Sequence, residues 1–205
     1  MEEKVYFDNG SGTNLCGMLY EGKGGTAVII AHGHTESKDS KTSRTLSSYL
    51  IDKGVACLRL DLYGHGESGG RLDDFSIAEG TEDIRQAVTL LRSRGYERFI
   101  LFGRSRGGVC ILRASGSADS CVMVCPGSKD ENYEELYSIA EGIRIPCLIV
   151  QGSADELVEA DLNRRLSSIM GCSYEEIEGA DHAFSEPLHF YQMIDIVTRY
   201  ILEIR

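Results

Sequence analysis

The sequence predicts an α/β fold: a mostly parallel central sheet of about eight strands, with an antiparallel N-terminal edge and helices on both faces. Three observations lead to this prediction. Two short strand-like segments, separated by a loop of Asp, Asn, Gly and Ser, open the chain. Continuous apolar runs follow, of the kind found in strands that are buried on both faces. Segments with helical periodicity alternate with these runs, and repeated βα units place successive strands parallel in one sheet.

The elements follow from the apolar pattern, taken in order along the chain. The residues before position 22 alternate like the two strands of a hairpin, and the apolar segment 26–31 predicts the first buried strand. Helices are predicted where apolar residues recur at helical spacing, and Gly54 ends the first of them. The predicted strands span 4–7, 14–21, 26–31, 55–60, 98–102, 121–125, 145–151 and 173–177, and the predicted helices span 41–53, 77–94, 106–114, 132–140, 159–170 and 187–204.

Size and charge restrict the class of protein. At 205 residues and 22.6 kDa the chain has the size of one domain, and we predict a single domain over 1–205. Its 21 basic and 32 acidic residues give a formal charge of −11, which argues against nucleic acid and an anionic membrane surface as partners. No uncharged run approaches the length of a membrane span, about eighteen residues, and the first residues lack the pattern of a signal peptide. We therefore expect a cytoplasmic protein.

The seven cysteines point to free thiols in a reducing compartment, since their number is odd and most of them lie inside apolar runs. Cys121 and Cys125 are separated by three residues, and no second pair at a metal-binding spacing accompanies them. We expect no metal and no cofactor.

Residues with reactive side chains follow five of the predicted strands. In a sheet of this type, the loops after the carboxyl ends of the strands carry the chemistry. These loops contain the segments His32-Gly-His-Thr-Glu36, Asp61-Leu-Tyr-Gly-His-Gly-Glu-Ser68, Gly103-Arg-Ser-Arg-Gly107, Gln151-Gly-Ser-Ala-Asp155 and Glu178-Gly-Ala-Asp-His182. Their shared position predicts an active site at this edge of the sheet.

The segment Gly103-Arg-Ser-Arg-Gly107 lies between a predicted strand and a predicted helix. Taken alone, these five residues also fit a glycine-rich turn in which Ser105 caps the next helix. In the context of strand, turn and helix they fit a nucleophile elbow, where a strained turn holds the serine Oγ clear of the backbone. We therefore predict that Ser105 is a nucleophile.

A serine nucleophile requires a general base, and the triad of α/β hydrolases follows the chain order serine, acid, histidine. His182 and His189 are the histidines late enough in the chain, and His182 is the better candidate because it lies in a loop while His189 falls within the last helix. Asp155 follows a strongly apolar strand by a short loop and is the predicted acid. Asp181, beside the base, is expected to make a local turn bond.

Acyl transfer also requires hydrogen-bond donors for the developing oxyanion. We predict that the backbone N–H groups of His34 and Arg106 serve as these donors, with Gly33 permitting the turn before His34. His32 and His65 lie in glycine-rich loops, where we expect the imidazoles to brace the backbone rather than to take part in the reaction.

Together these segments resemble the α/β-hydrolase family, and within it the small serine esterases that include feruloyl esterases and monoacylglycerol-lipase-like proteins of the serine aminopeptidase S33 type. The resemblance covers the chain from about Thr26 onward and is carried by His32 to Asp39, Asp61 to Ser68, Gly103 to Gly108, Gly152 to Asp155 with Val158, and Gly179 to Phe184. It implies an α/β-hydrolase fold with Ser105 as nucleophile, His182 as general base and then acid, and Asp155 as the acid that orients His182.

The chain departs from the family pattern in the cap region. Many relatives carry a helical cap of several dozen residues between the sixth and seventh strands, whereas 126–144 leaves room for a short insertion. We therefore expect no large cap domain. The acyl pocket is then shallow, or it is built from residues 128–143, alone or with a partner subunit in a homodimer.

The second departure is the pair of arginines that flank the nucleophile. Arg104 is expected to point into the sheet side of the elbow, where an unpaired charge is costly, so we predict a carboxylate partner, either Glu36 or Asp61. Arg106 has two interpretations: a structural role, or a position in the cleft from which it attracts an acidic group of the substrate.

The residues thus predict a serine hydrolase that cleaves small-molecule carboxylic esters. A thioesterase or a small peptidase would use the same triad, and the sequence does not separate these activities. A non-catalytic binding protein on a hydrolase scaffold is the alternative from a different class, and such proteins usually lose a member of the triad.

Overall fold

The computed structural model describes residues 2–205 and confirms the predicted fold class. Within these residues, eight strands form one sheet in the order β1-β2-β4-β3-β5-β6-β7-β8. Strand β1 pairs antiparallel with β2, and β2 pairs antiparallel with β4, while the remaining pairs are parallel. The strands are β1 (Glu2–Asp8), β2 (Asn14–Tyr20), β3 (Thr26–Ala31), β4 (Ala56–Asp61), β5 (Arg98–Arg104), β6 (Ser120–Val124), β7 (Cys147–Gly152) and β8 (Ser173–Ile177).

Helices cover both faces of the sheet. In the described part of the chain they are α1 (Lys41–Asp52), α2 (Ile77–Ser93), α3 (Arg106–Ala114), α4 (Tyr133–Ala140), α5 (Ala160–Met170) and α6 (Pro187–Ile204). Buried side chains of α2, α3, α4 and α5 form one apolar cluster with the sheet, and those of α1 and α6 form the other. No helix within residues 2–205 is both long and apolar enough to cross a membrane.

The central strands bury side chains on both faces, which explains their uninterrupted apolar sequences. In β3, Ala27 and Ile29 pack in the cluster that contains α2 and α3, while Val28 and Ile30 pack in the cluster that contains α1 and α6. A strand in this position has no solvent-facing side, so alternation with polar residues is absent. Continuous apolar character was therefore the correct signal for these strands.

The strand order places the candidate site. Strand β3 lies between β4 and β5. After β3 the chain first adds β4 along one edge of β3, and it then crosses back to add β5 along the opposite edge. At such a reversal the loops after two neighbouring strands diverge and leave a crevice at their carboxyl ends. The loops after β3 and β5, which contain His34 and Ser105, border this crevice.

The helix and strand boundaries differ from the predicted ones by a few residues, for local reasons. Asn132 was predicted as the first residue of a helix, but it is the N-cap of α4 and accepts a hydrogen bond from the backbone N–H of Glu135. Strand β7 begins two residues later than predicted, after Pro146, which has no N–H to donate to a neighbouring strand. Helix α2 begins at Ile77, as predicted, after the capping box of Ser76 and Glu79, and it ends at Ser93, one residue before the predicted end.

A buried carboxyl group on α2 gives the fold a pH-dependent element. Asp83 is fully buried and accepts a hydrogen bond of 2.7 Å from the backbone N–H of Tyr63. Burial raises the pKa of the Asp83 carboxyl group to about 6 from the ordinary value of 3.8. The folded chain therefore holds this proton more tightly than the unfolded chain, and the contribution of Asp83 to stability falls as the pH rises through this interval.

We expect Asp83→Asn to stabilise the protein at neutral pH and to have little effect at pH values near 4. The amide oxygen still accepts the Tyr63 N–H, while the cost of a buried charge disappears. A gain on the order of 2–3 kcal/mol in the free energy of unfolding is expected at about pH 7.5. Urea unfolding at both pH values measures it, with the exposed Asp52→Asn as control. A gain that is equal at both pH values would contradict this explanation.

Candidate active site

Ser105 occupies a strained turn between β5 and α3. Strand β5 ends at Arg104 and α3 begins at Arg106, so that Ser105 forms the turn by itself, with φ of 51° and ψ of −123°. Positive φ is uncommon for a residue with a side chain. A Cβ atom at Gly103 would lie 2.4 Å from the carbonyl oxygen of Gly107, so a glycine at 103 permits this close approach of strand and helix.

Ser105, His182 and Asp155 form a continuous chain of hydrogen bonds. His182 follows β8, and its Nε2 lies 3.0 Å from Ser105 Oγ. Asp155 follows β7, and its Oδ2 lies 2.8 Å from His182 Nδ1. Three loops that are distant in the sequence thus meet at one point. This geometry suits transfer of the serine proton to a histidine whose ring orientation is set by a carboxylate.

Asp155 is held as a carboxylate by donors from its own loop. Burial by itself would raise its pKa, but hydrogen bonds from His182 and from the backbone N–H groups of Val158 and Leu157 hold the pKa of Asp155 below its ordinary value. The two N–H groups donate to Oδ1 at 2.8 and 2.9 Å. The other oxygen, Oδ2, is thereby left to face the imidazole of His182.

Gln151 is a site residue that the sequence analysis missed. It is fully buried at the end of β7, and its Nε2 donates a hydrogen bond of 3.0 Å to Asp155 Oδ2. Asn163 on α5, also buried, donates to Gln151 Oε1 at 2.8 Å and fixes the orientation of its amide. The sequence did contain an indication of this role, since the polar amide of Gln151 directly follows four apolar residues of a buried strand.

Asp181 and His189, the other residues considered near the C-terminal end of the chain, lie outside the hydrogen-bonded series. Asp181 accepts a hydrogen bond of 2.7 Å from the backbone N–H of Ser185, which confirms the predicted turn bond. His189 is a half-buried residue of α6, as predicted.

The two predicted oxyanion donors lie at the ends of β3 and β5. Among the hydrogen bonds of residues 2–205, none uses the backbone N–H of His34 or of Arg106 as donor, so both groups remain free for a ligand. The N–H of Gly33, by contrast, donates to Glu36 Oε2 at 2.9 Å. A Cβ atom at Gly33 would lie 3.4 Å from Ser105 Cβ, which places this loop directly against the serine.

Arg104 links the loops on either side of Ser105. Its guanidinium donates to Glu36 Oε1 at 2.6 Å and to the backbone carbonyl of His182 at 2.9 Å. Arg104 is buried, and the prediction of a carboxylate partner is confirmed with Glu36. Asp61, the other candidate, pairs with Lys38 instead. Through Arg104, the loop of the histidine is attached to the loop that presents His34.

His32 and His65 brace the backbone, as predicted. His32 Nε2 accepts a hydrogen bond of 3.2 Å from the backbone N–H of Leu62, and its Nδ1 lies 2.7 Å from the carbonyl oxygen of Gly33. Burial lowers the pKa of His32 to about 4, so its ring is neutral at physiological pH. His65 Nδ1 lies 2.7 Å from the carbonyl oxygen of Tyr63 in its own loop.

One group of potential metal ligands occurs within the described chain. Atoms of Cys125, Asp155 and His182 that could bind a metal lie within 4.8 Å of one another. Burial and the nearby Asp155 raise the pKa of the Cys125 thiol well above its ordinary value, so the thiolate that a metal requires is disfavoured. Asp155 and His182 also bond to each other. The expectation of no metal stays a prediction.

A cleft of about 420 Å³ opens above Ser105. Ser128 and Lys129, from the segment between β6 and β7, line one part of it, and Leu157 and Ala183 line another. In the described chain this segment contains one helix, the eight-residue α4. A larger groove of about 480 Å³, lined by Tyr20 and by residues of α1 between Arg44 and Ile51, contains none of the three hydrogen-bonded residues.

The chain is similar to known proteins in sequence and in fold. The family model described as "Serine aminopeptidase, S33" matches residues 23–134. The uncharacterised protein YfhR of Escherichia coli K12 is 26% identical over 195 residues, which cover 82% of this chain and 68% of that protein. A carboxylesterase of Bacillus subtilis is 26% identical over 147 residues, covering 68% of this chain and 57% of that protein. The structure of Est1E from Butyrivibrio proteoclasticus with bound ferulic acid superposes with a TM-score of 0.86 at 21% identity, covering 97% and 98% of the two chains.

Proposed function

The chain belongs to the serine aminopeptidase S33 family of α/β hydrolases, and from this premise we propose that it is a serine hydrolase that cleaves carboxylic esters of small molecules. The observation that carries the proposal is the hydrogen-bonded series Ser105 Oγ, His182 Nε2, His182 Nδ1 and Asp155 Oδ2, with distances of 3.0 and 2.8 Å. The similarity to a carboxylesterase supports an ester as the substrate.

In the proposed reaction, Ser105 Oγ attacks the ester carbonyl while His182 Nε2 takes its proton. The carbonyl oxygen becomes an oxyanion, which the backbone N–H groups of His34 and Arg106 bind. The tetrahedral intermediate collapses, His182 gives the proton to the leaving alcohol, and the acyl group stays on Ser105. A water molecule, deprotonated by His182, then attacks the acyl carbonyl; the bond to Ser105 Oγ breaks, His182 returns the proton to Oγ, and the acid is released. Asp155 keeps the imidazole oriented and stabilises its positive charge, and no step uses a metal or organic cofactor.

An amidase activity is the second candidate, because the matching family model is described as a serine aminopeptidase. Esters, thioesters and amides all pass through an acyl-enzyme on such a triad, and they differ in the leaving group that His182 must protonate. Alcohols and thiols leave more readily than amines. Because the alcohol is the better leaving group, we expect an ester to be a better substrate than an amide.

A matched set of substrates tests the proposal. With the same butyryl group, kcat/KM is expected to fall in the order p-nitrophenyl ester, thioester, p-nitroanilide, and a fluorophosphonate probe is expected to label Ser105 covalently. Faster turnover of the anilide would favour the peptidase instead. Absence of both labelling and turnover would favour a binding protein on a hydrolase scaffold.

A cytoplasmic location is part of the proposal. All seven cysteines are free thiols in the described structure, and six of them are buried. Free cysteines are typical of proteins in reducing compartments. Mass measurement of thiol labelling in freshly lysed cells would find seven reduced cysteines, whereas oxidised cysteines would argue against this location.

A further inference from the structure

The cleft above Ser105 carries a local positive charge, although the chain as a whole has a formal charge of −11. The Asp, Glu, Lys and Arg side chains that line it are Glu36, Arg104, Arg106 and Lys129. Glu36 and Arg104 form an ion pair of 2.6 Å, and their charges cancel. Two cations, Arg106 and Lys129, are therefore left facing the space in which a substrate would lie.

Arg106 has unused hydrogen-bonding capacity. No salt bridge within residues 2–205 involves Arg106 or Lys129. Arg106 is half-buried, whereas most unpaired arginines extend into solvent. Burial and then the positive charge of Arg106 hold the pKa of His34 below its ordinary value, so a positive charge on His34 is disfavoured.

The acidic residues Glu131 and Glu156 do not form ion pairs with Arg106. Glu131 is close enough for Arg106 to lower the pKa of its carboxyl group, but burial outweighs this effect and Arg113 acts on Glu131 more strongly. Glu156 accepts a hydrogen bond of 3.3 Å from the backbone N–H of His182. Neither carboxylate lies within ion-pair distance of Arg106, so its guanidinium is open to an external anion.

On the premise of ester hydrolysis at Ser105, we propose that the cleft takes esters that also carry a carboxylate, which Arg106 binds with support from Lys129. A guanidinium offers two parallel N–H donors that match the two oxygens of a carboxylate. The single positive charge of the half-buried Arg106 guanidinium matches the single negative charge of a substrate carboxylate. A volume of about 420 Å³ accommodates a short acyl chain between the reacting carbonyl and the carboxylate. Half-esters of short dicarboxylic acids are the corresponding substrate class.

Two esters of equal chain length test the proposal: monomethyl adipate, which ends in a carboxylate, and methyl hexanoate, which ends in a methyl group. The wild-type enzyme is expected to have the higher kcat/KM for monomethyl adipate. Arg106→Gln is expected to lower the ratio of the two kcat/KM values roughly tenfold, mainly through KM of the charged ester. Lys129→Gln should lower the ratio about twofold, because its ammonium is more exposed.

A measurement on the unaltered protein supplements the variants. Raising NaCl from about 0.01 to about 0.5 M should lower the wild-type ratio, since salt screens the attraction. Arg85→Gln, which removes an exposed cation of α2 outside the cleft, is the matched control and should leave the ratio unchanged. If methyl hexanoate is hydrolysed but neither Arg106→Gln nor salt changes the ratio, the anion site is refuted and the esterase is not. If neither ester reacts and fluorophosphonate leaves Ser105 unlabelled, both proposals fail together.

Discussion

Replacing Ser105 by alanine is expected to lower kcat/KM for p-nitrophenyl butyrate by about 10⁵-fold to 10⁶-fold. The change removes Oγ, which lies 3.0 Å from His182 Nε2, and with it the acyl-enzyme route. Alanine keeps the Cβ atom of residue 105 that faces the loop of Gly33, so we expect the elbow to retain its packing. Initial rates measure the loss, and thermal unfolding of the variant shows that the fold is intact.

The three residues are expected to act as a unit. His182→Ala should cost about as much as Ser105→Ala, and the double variant should be little worse than either single variant. Asp155→Asn should reduce activity by a smaller but large factor of about 10⁴, because the amide favours the wrong imidazole tautomer. Ser138→Ala, on the exposed side of α4, is the matched serine control. More than about 1% residual activity in Ser105→Ala would mean that another group is the nucleophile.

Lys38→Met is expected to cost about 3–5 kcal/mol of stability. Lys38 Nζ lies 2.7 Å from Asp61 Oδ2, and the two side chains are 3% and 0% exposed. Burial opposes the charge on Lys38, but hydrogen bonds to Asp61 and Glu67 outweigh it and raise its pKa above the ordinary value. Methionine fills a similar volume and leaves the Asp61 carboxylate without its cation.

An exposed ion pair nearby is the control for this prediction. Arg44 and Asp39 lie 2.9 Å apart and are 65% and 38% exposed, so Arg44→Gln should cost less than about 1 kcal/mol. Urea unfolding at neutral pH measures both variants. Adding Asp61→Asn to Lys38→Met should recover part of the loss, because a neutral amide replaces the unpaired charge. Equal stability of Lys38→Met and Arg44→Gln would show that the buried pair contributes no more than a surface pair.

The architecture was predictable from the sequence because it depends on local patterns. Uninterrupted apolar segments such as 26–31 identify strands that are buried on both faces, and periodic segments between them identify the covering helices. Repeated βα units then determine which end of the sheet carries the loops with Ser105, Asp155 and His182. Chain order and loop position were sufficient to choose these three from many serines, carboxylates and histidines.

The ion-pair partner of Arg104 could be identified only from the tertiary structure. Both Glu36 and Asp61 were reasonable partners for Arg104, and the choice depended on Lys38, whose ammonium reaches Asp61 at 2.7 Å and leaves Glu36 to Arg104 at 2.6 Å. The support of Asp155 by Gln151 was likewise invisible, since it depends on how the turn after β7 folds back on its strand.

For this protein, the sequence by itself determined the fold class, the edge of the sheet that carries the candidate site, and the residues of its hydrogen-bonded series. Each of these depends on residue type, periodicity and chain order. The tertiary structure decided which charges cancel and which remain, leaving Arg106 and Lys129 unpaired in the cleft. Ion pairing depends on distances of a few ångströms between loops, and the order of residues along the chain does not specify such distances.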